Sequence, residues 1–280
     1  MSFSGVDLSN VKFSHRIVNW RKLSGYRNRS ESFSGKYVSA VTYDIPTNDY
    51  RLLGRSFTWF SDLHLRGNSR KEELILDETA EAIGTLNPDF LICGGDIVSY
   101  ATALPSAELF LKSLPDVPNK IAVMGNWERA KKWFTLKDWE EFFGAAGFQL
   151  MINEIREFDG IDIIGLDDIK AGRPAYVKKV PENGTTLILA HSPDTIVHCC
   201  RREMLKGIPL IMCGHTHGGQ IRLPFIGPLV TSSRYWRKFD YGLYENTFSG
   251  TKLTVSSGLG ASCFDFRAFC RREITNVSFV

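Results

Sequence analysis

Seven residues whose side chains can hold a metal ion stand just past apolar runs of the chain: Asp62, His64, Asp96, Asn126, His191, His215 and His217. The densest group is the segment 214–220, Gly-His-Thr-His-Gly-Gly-Gln, which follows the apolar residues 208–213. A buried strand there would give way to a glycine-rich loop and carry two imidazoles to the strand's end. In extended backbone, residues i and i+2 point the same way, so His215 and His217 can face one site. Two polar loop histidines are the plainer reading of that segment alone. Upstream, residues 57–60 run into Asp62 and His64, 89–93 into Asp96, 120–124 into Asn126 and 186–190 into His191. Open α/β sheets bind ligands at the carboxyl ends of their strands, so this repeated placement converges on one pocket.

Seven ligands exceed what a single tetrahedral or octahedral centre normally takes from protein alone, which favours two ions. Imidazole, carboxylate and amide without thiolate suit manganese, iron or zinc better than magnesium. A carboxylate can bridge two cations about 3.5–4 Å apart, and such a pair acidifies a shared water while clamping a phosphoryl oxygen.

The elements that must position these residues are legible around them. Ile75, Thr79, Ala82, Ile83 and Leu86 recur at helical spacing and stop at Asn87 and Pro88. A strand, helix, strand order then repeats through Cys93, Leu109 and Val123, the rhythm of a layered α/β fold. Thr135 and Asp138 are spaced as a capping box before Trp139, Phe142, Phe143 and Ala146, which read as core. Asp159-Gly160 suits the tight turn of a hairpin joining 149–158 to 161–166, and a second hairpin turns at 248–251 before a strand at 253–255. Helical units in the first half and hairpins in the second predict two mixed sheets face to face, with helices outside.

In order, Asp-Leu-His at 62–64, Gly-Asp at 95–96, Gly-Asn-Trp-Glu at 125–128, the lone His191 and Gly-His-Thr-His at 214–217 resemble the motif series of the calcineurin-like metallophosphoesterase superfamily. The resemblance covers roughly residues 41–280, and 214–224 with Ser-Gly-Leu-Gly at 257–260 is similar to a bacterial phosphodiesterase group associated with the cell envelope. It implies an α/β fold, a four-layer αββα sandwich of two mixed β-sheets flanked by helices. It also implies a metal-dependent phosphoric ester hydrolase, a phosphodiesterase or pyrophosphatase acting by in-line attack of metal-bound hydroxide. By motif position the resemblance gives Asp62, His64 and His217 to one divalent ion, Asn126, His191 and His215 to a second, and Asp96 to both. Asp96, Asn126 and His215 are also the catalytic candidates, and manganese is the metal it leans to, with iron or zinc as alternatives. The sequence departs from the pattern at Trp127, where most members carry the His credited with assisting the leaving group. Indole cannot give up a proton near neutral pH. A related branch that cleaves UDP-diacylglucosamine at its pyrophosphate, in lipid A synthesis, also lacks that His, which keeps this reaction as an alternative. A metal-binding scaffold with weak or no catalysis is the alternative of another class.

Composition bounds the rest. With 43% hydrophobic and 23% charged residues the chain is ordinary for a globular protein, and no window approaches 18 uninterrupted apolar residues. Met1 to Gly5 lack the basic start and apolar stretch of a secretory signal, so a cytoplasmic protein is expected. The six cysteines form no Cys-x-x-Cys pair, in keeping with a reducing compartment. Residues 1–36 hold seven Lys or Arg against two acids, a net +5, while the whole chain is +3. The expected division is therefore a basic N-terminal extension, 1–36, and a catalytic domain, 37–280. The apolar residues between the arm's charges allow peripheral contact with anionic lipid at the inner membrane face; an arm packed on the catalytic domain is the alternative, and nucleic acid is the less favoured partner. The expected substrate is a phosphoester small molecule or a lipid-linked one.

Overall fold

The computed structural model describes residues 19–280, apart from 68, 178, 179, 182, 183, 263 and 264. Sixteen strands among these residues form two seven-stranded sheets and one small ribbon. In spatial order the first sheet is β2 (Arg29–Ser34), β3 (Val38–Ile45), β16 (Arg272–Phe279), β4 (Ser56–Phe60), β5 (Phe90–Cys93), β6 (Asn119–Val123) and β7 (Gln149–Met151). The second is β1 (Trp20–Lys22), β14 (Gly242–Asn246), β15 (Lys252–Val255), β11 (Leu210–Cys213), β10 (Thr185–Ala190), β9 (Ile161–Leu166) and β8 (Glu154–Phe158). The ribbon pairs β12 (Arg222–Leu223) with β13 (Gly227–Pro228).

Period-two alternation assigns each strand face. Phe57 and Trp59 of β4, Phe90 and Ile92 of β5, Leu187 and Leu189 of β10, and Leu210 and Met212 of β11 point into one core between the sheets. Phe60, Leu91 and Cys93 face the other way, onto α1 (Arg70–Leu86), α2 (Leu104–Ser113) and, past the short α3 (Asn126–Ala130), α4 (Leu136–Gly144). Behind the second sheet, Ile188, Ala190, Ile211 and Cys213 pack on α5 (Pro193–Cys199). The layers are therefore helix, sheet, sheet, helix, as expected. The outer layer on the second sheet is thin.

Local signals hold where they were strongest. Helix α1 buries Ile75, Thr79, Ala82 and Ile83 and stops at Asn87 in left-handed backbone (φ 43°). Thr135 and Asp138 close their capping box at the start of α4. The hairpins β8–β9 and β14–β15 both form. The run 149–158 is not one strand, however. It breaks at Asn153 (φ 55°), leaving β7 in the first sheet and carrying β8 into the second. Alternation alone does not reveal such a crossing, because neither piece shows it: Leu150 and Met151 are both buried in β7, and only Phe158 is buried in β8.

The basic stretch 1–36 lies outside the described residues as far as 18, and His15 with it. From 19 onward it holds β1 and β2, which are edge strands of the two sheets. Arg21 and Lys22 there pair with Glu245 and Asp240, so part of its charge is spent within the fold. No helix among the described residues is long and apolar enough to cross a membrane.

Candidate metal centre

Strands β4, β5 and β6 run parallel, as do β9, β10 and β11, so the carboxyl ends within each set share one sheet edge. Contacts then join the two edges: His191 Nδ1 donates to Gly94 O at 2.7 Å, and the His215 backbone N–H donates to Asp62 Oδ2 at 3.1 Å. All seven candidates are buried. The six carboxylate and imidazole side chains form two clusters, Asp62 with His64 and His217, and Asp96 with His191 and His215, each with its ligand-type atoms within 4.8 Å of one another. In the first, His64 Nε2 and His217 Nε2 are 3.2 Å apart; in the second, His191 Nε2 and His215 Nδ1 are 3.0 Å apart. Asp96 Oδ2 lies 3.5 Å from His64 Nε2 and 3.3 Å from His191 Nε2, between the clusters. Its Oδ1 accepts the Trp127 backbone N–H at 2.8 Å.

The loops achieve this by a shared backbone device. Asp62, His64, Asp96, His215 and His217 all have positive φ, between 49° and 71°. Left-handed backbone costs an ordinary residue about 1–2 kcal/mol, so five instances at one site mark geometry that the surroundings impose. The segment 215–217 is accordingly not extended, and its two histidines part: His215 joins Asp96 while His217 joins Asp62. Glycine makes the crowding feasible. A Cβ on Gly214 would come within 2.6 Å of Asp62 Oδ2, and one on Gly125 within 2.2 Å of Asp96 Oδ1.

Two buried acceptors, Asp62 Oδ1 and Asn126 Oδ1, have no hydrogen-bond partner. Such atoms normally find one, so their presence beside facing imidazole nitrogens fits a site built for cations. Charges point the same way. Burial, with the neighbouring Asp96 charge, pushes Asp62 up to about 6. Burial opposes charge on His191 too, yet Asp96, Asp62 and Asp168 lift it well above its ordinary value. Burial pulls His64 down to about 4 and His215 to about 3, and holds His217 well below its usual range, with His64 and Arg267 adding to the effect. Without a cation, one proton on His191 is the positive charge that answers the carboxylates.

Three residues outside the expected set complete the site. Glu128 accepts backbone N–H groups from Asp96, Ile97 and Gly125 at 2.8, 2.7 and 3.1 Å, tying the β5 loop to the β6 loop. Burial and the Asp96 charge push it up to about 7. Arg267 donates to the carbonyls of Gly260, Ser257 and Arg271 and brings Nη2 to 3.4 Å from His217 Nδ1. Asp168, past β9, keeps a buried Oδ1 without a partner. It repeats the strand-then-acid pattern that marked the others. Trp127 is half-buried, its ring edge-on to His64 with centroids 5.2 Å apart. His198 is buried, with Nε2 3.1 Å from the Tyr235 hydroxyl. Beside His217 opens a cavity of about 370 Å³, lined on its apolar side by Ile221, Leu229 and Val230.

Comparison with known proteins identifies the family. The chain is 28% identical over 236 residues, 79% of its length and 78% of the relative's, to the uncharacterized metallophosphoesterase YkuE of Bacillus subtilis. It is 29% identical over 234 residues, 79% and 81% of the two chains, to the phosphodiesterase YaeI of Escherichia coli. To the UDP-2,3-diacylglucosamine pyrophosphatase LpxG of Chlamydia trachomatis it is 27% identical over 242 residues, 67% and 71% of the two chains. Residues 55–219 match the calcineurin-like phosphoesterase family, a span holding eight of the strands in the two large sheets and all seven candidate ligands. The chain belongs to that family and is a metal-dependent phosphoester hydrolase.

Proposed function

We propose that the chain hydrolyses a phosphodiester or pyrophosphate at a two-ion centre, with Asp62, His64 and His217 holding one divalent ion, Asn126, His191 and His215 the other, and Asp96 both. The carrying observation is Asp96 Oδ2, placed between two buried clusters while Oδ1 is fixed by Trp127 N–H. Bound there, two divalent ions acidify a water for in-line attack and neutralise phosphoryl oxygens. Manganese is our first choice, with iron or zinc next. The outer nitrogens of His191 and His64 are held by Gly94 O and Ser99 Oγ, which orient the rings and leave their inner nitrogens facing the site. Asp96, Asn126 and His215 are the groups we place nearest the reacting phosphorus.

The apolar cavity beside His217 favours a substrate with a nonpolar group next to the phosphorus, such as a lipid-linked pyrophosphate. Trp127 fits that reading, since a nucleotide phosphate leaves without the proton an alkoxide needs. Metal-stripped protein reconstituted with manganese, iron or zinc and assayed on bis-nitrophenyl phosphate and a UDP-linked pyrophosphate tests both levels. Full activity of the stripped protein would end the two-ion reading, and equal neglect of pyrophosphates and lipid-bearing esters the substrate class.

A further inference from the structure

Just past the metal-site loop the chain makes a hairpin that is wrong for water. Its turn runs from Leu223 to Ile226, closed by Ile226 N–H donating to Leu223 O at 3.2 Å. Pro224 takes the second position and Phe225 the third, with φ 64°. That is the pattern of a type II turn, whose third position favours glycine or asparagine. A phenylalanine there meets backbone strain, and its ring is fully exposed.

The neighbours repeat the anomaly. Ile226 is 56% exposed and Val230 71%, and five of the exposed large apolar side chains fall between residues 223 and 230. Those in the first half of the chain are sparser: Tyr50 with Leu53, then Tyr100, Leu109 and Leu136. The hairpin root is bonded to the segment before β16, with Arg222 N–H donating to Ala268 O at 2.9 Å and Ala268 N–H to Gln220 O at 3.1 Å. This brings Phe269, 76% exposed, into the groove against Phe225. A patch so concentrated marks an interaction surface.

Charge identifies the occupant. Between residues 219 and 239 there are four cations, Arg222, Arg234, Arg237 and Lys238, and no acid. Arg222 is held by Asp240; the Arg234 backbone N–H donates to Asp194 Oδ2 at 2.7 Å, but no ion pair joins the side chains of Arg234, Arg237 or Lys238 to a carboxylate among the described residues. Arg237 sits at the hairpin itself, donating to Ile226 O at 3.2 Å, and its guanidinium lies 4.7 Å from the ring centroid of Trp236, which is half exposed. Protruding apolar residues with an aromatic and free cations at their flank match the headgroup layer of an anionic bilayer, which takes rings and aliphatic chains below and guanidinium at the phosphates.

We propose that the hairpin β12–β13 and the segment 229–238 dock on the surface of an anionic lipid bilayer, with Phe225 and Ile226 below the headgroups and Arg234, Arg237 and Lys238 among the phosphates. Docking would bring the mouth of the cavity beside His217 to the lipid. The surface itself does not depend on the proposed chemistry.

The test uses the full metal-loaded chain and sedimentation with large vesicles, either phosphatidylcholine alone or equal parts phosphatidylcholine and phosphatidylglycerol. Wild type partitions to the mixed vesicles. Phe225→Gly relieves the turn, so its Tm holds or rises, yet its partitioning falls about tenfold or more. Arg234→Gln with Arg237→Gln weakens binding to mixed vesicles by about fivefold per charge and leaves binding to neutral ones unchanged. Hydrolysis of a small soluble diester stays the same in all three proteins and reports separately on the metal centre. Equal partitioning of wild type and Phe225→Gly, or none by wild type, overturns the proposal. So does light scattering that shows a concentration-dependent dimer which Phe225→Gly dissolves, since the patch would then belong to a second copy of the chain.

Discussion

Behind His217 stands a guanidinium; behind His191 stands a carbonyl. The two clusters use the same residue types, one carboxylate with two imidazoles, but their outer partners differ. Arg267 brings a positive charge to within 3.4 Å of His217 and can accept nothing from it. Gly94 O accepts from His191 Nδ1, and Asp96, Asp62 and Asp168 surround that ring with negative charge. One half is already partly neutralised by protein, while the other waits for a cation or keeps a proton. The two positions should therefore bind divalent ions unequally, the Asp96–His191–His215 side more tightly and with more competition from protons.

The sharpest way to break this comparison is to remove what the halves share. Asp96→Asn should empty both positions and lower hydrolysis by roughly 10³-fold, about 4 kcal/mol of transition-state stabilisation. His217→Ala should empty only one. Elemental analysis of each purified variant, beside its rate, distinguishes them, and loss of a single ion in Asp96→Asn would mean that no bridge exists.

Acid should act on one half first. His191 is raised well above its ordinary value in the cation-free protein, and its proton must leave before the ring can hold an ion. Affinity on that side should then fall with falling pH, by up to about tenfold per unit below the raised pKa, with about one proton released per ion bound. On the other side His64 and His217 stay neutral, and affinity declines only as Asp62 protonates near 6. Calorimetric titration at pH 8, 7 and 6 in buffers of different ionisation heat reads both quantities. Two sites weakening in parallel would remove the distinction.

Arg267 offers a smaller handle. Arg267→Met should tighten the Asp62 side by about tenfold, because a like charge is gone from its edge. The same change strips donors from three backbone carbonyls and should cost about 2–3 kcal/mol of stability. Metal affinity and Tm moving in opposite directions is the signature. If both fall, Arg267 is structural only.

Trp127→His is expected to do least. Restoring a group that can carry a proton should speed alkyl diesters several-fold and leave nitrophenyl esters nearly unchanged, flattening the dependence of rate on leaving-group pKa. A wild type with shallow dependence, unaltered by the substitution, would place the acid elsewhere.

The sequence showed the layers and the ligand types because each rests on a local signal: the apolar runs of β4, β5, β10 and β11, the cap at Asn87, and the strand-then-ligand order at Asp62, Asp96 and His191. It misjudged what depends on backbone sign. His215 and His217 looked like one face of an extended segment, and only the left-handed turns at both residues show why they part. The crossing at Asn153 was hidden for the same reason. Arg267 reaches the site from fifty residues beyond His217, through three carbonyls that no spacing rule announces. Asp168 was legible in principle, standing past an apolar strand as the others do.

The place of β16 bears on timing. It lies between β3 and β4, parallel to one and antiparallel to the other, so residues from the far end of the sequence form the middle of the first sheet. A ribosome delivers β4 and the Asp62 loop well before β16. Until then β3 and β4 have no neighbour between them, and Phe57 and Trp59 have no closed sheet to lie in. Gly258 and Gly260, which press on Asp62 and Leu63, arrive only with that final stretch. All seven candidate ligands thus exist before they can be aimed, and until β16 arrives they are loose carboxylates, imidazoles and an amide instead of a site. An aimed site, and with it selective capture of an ion, therefore requires β16 to be in place between β3 and β4.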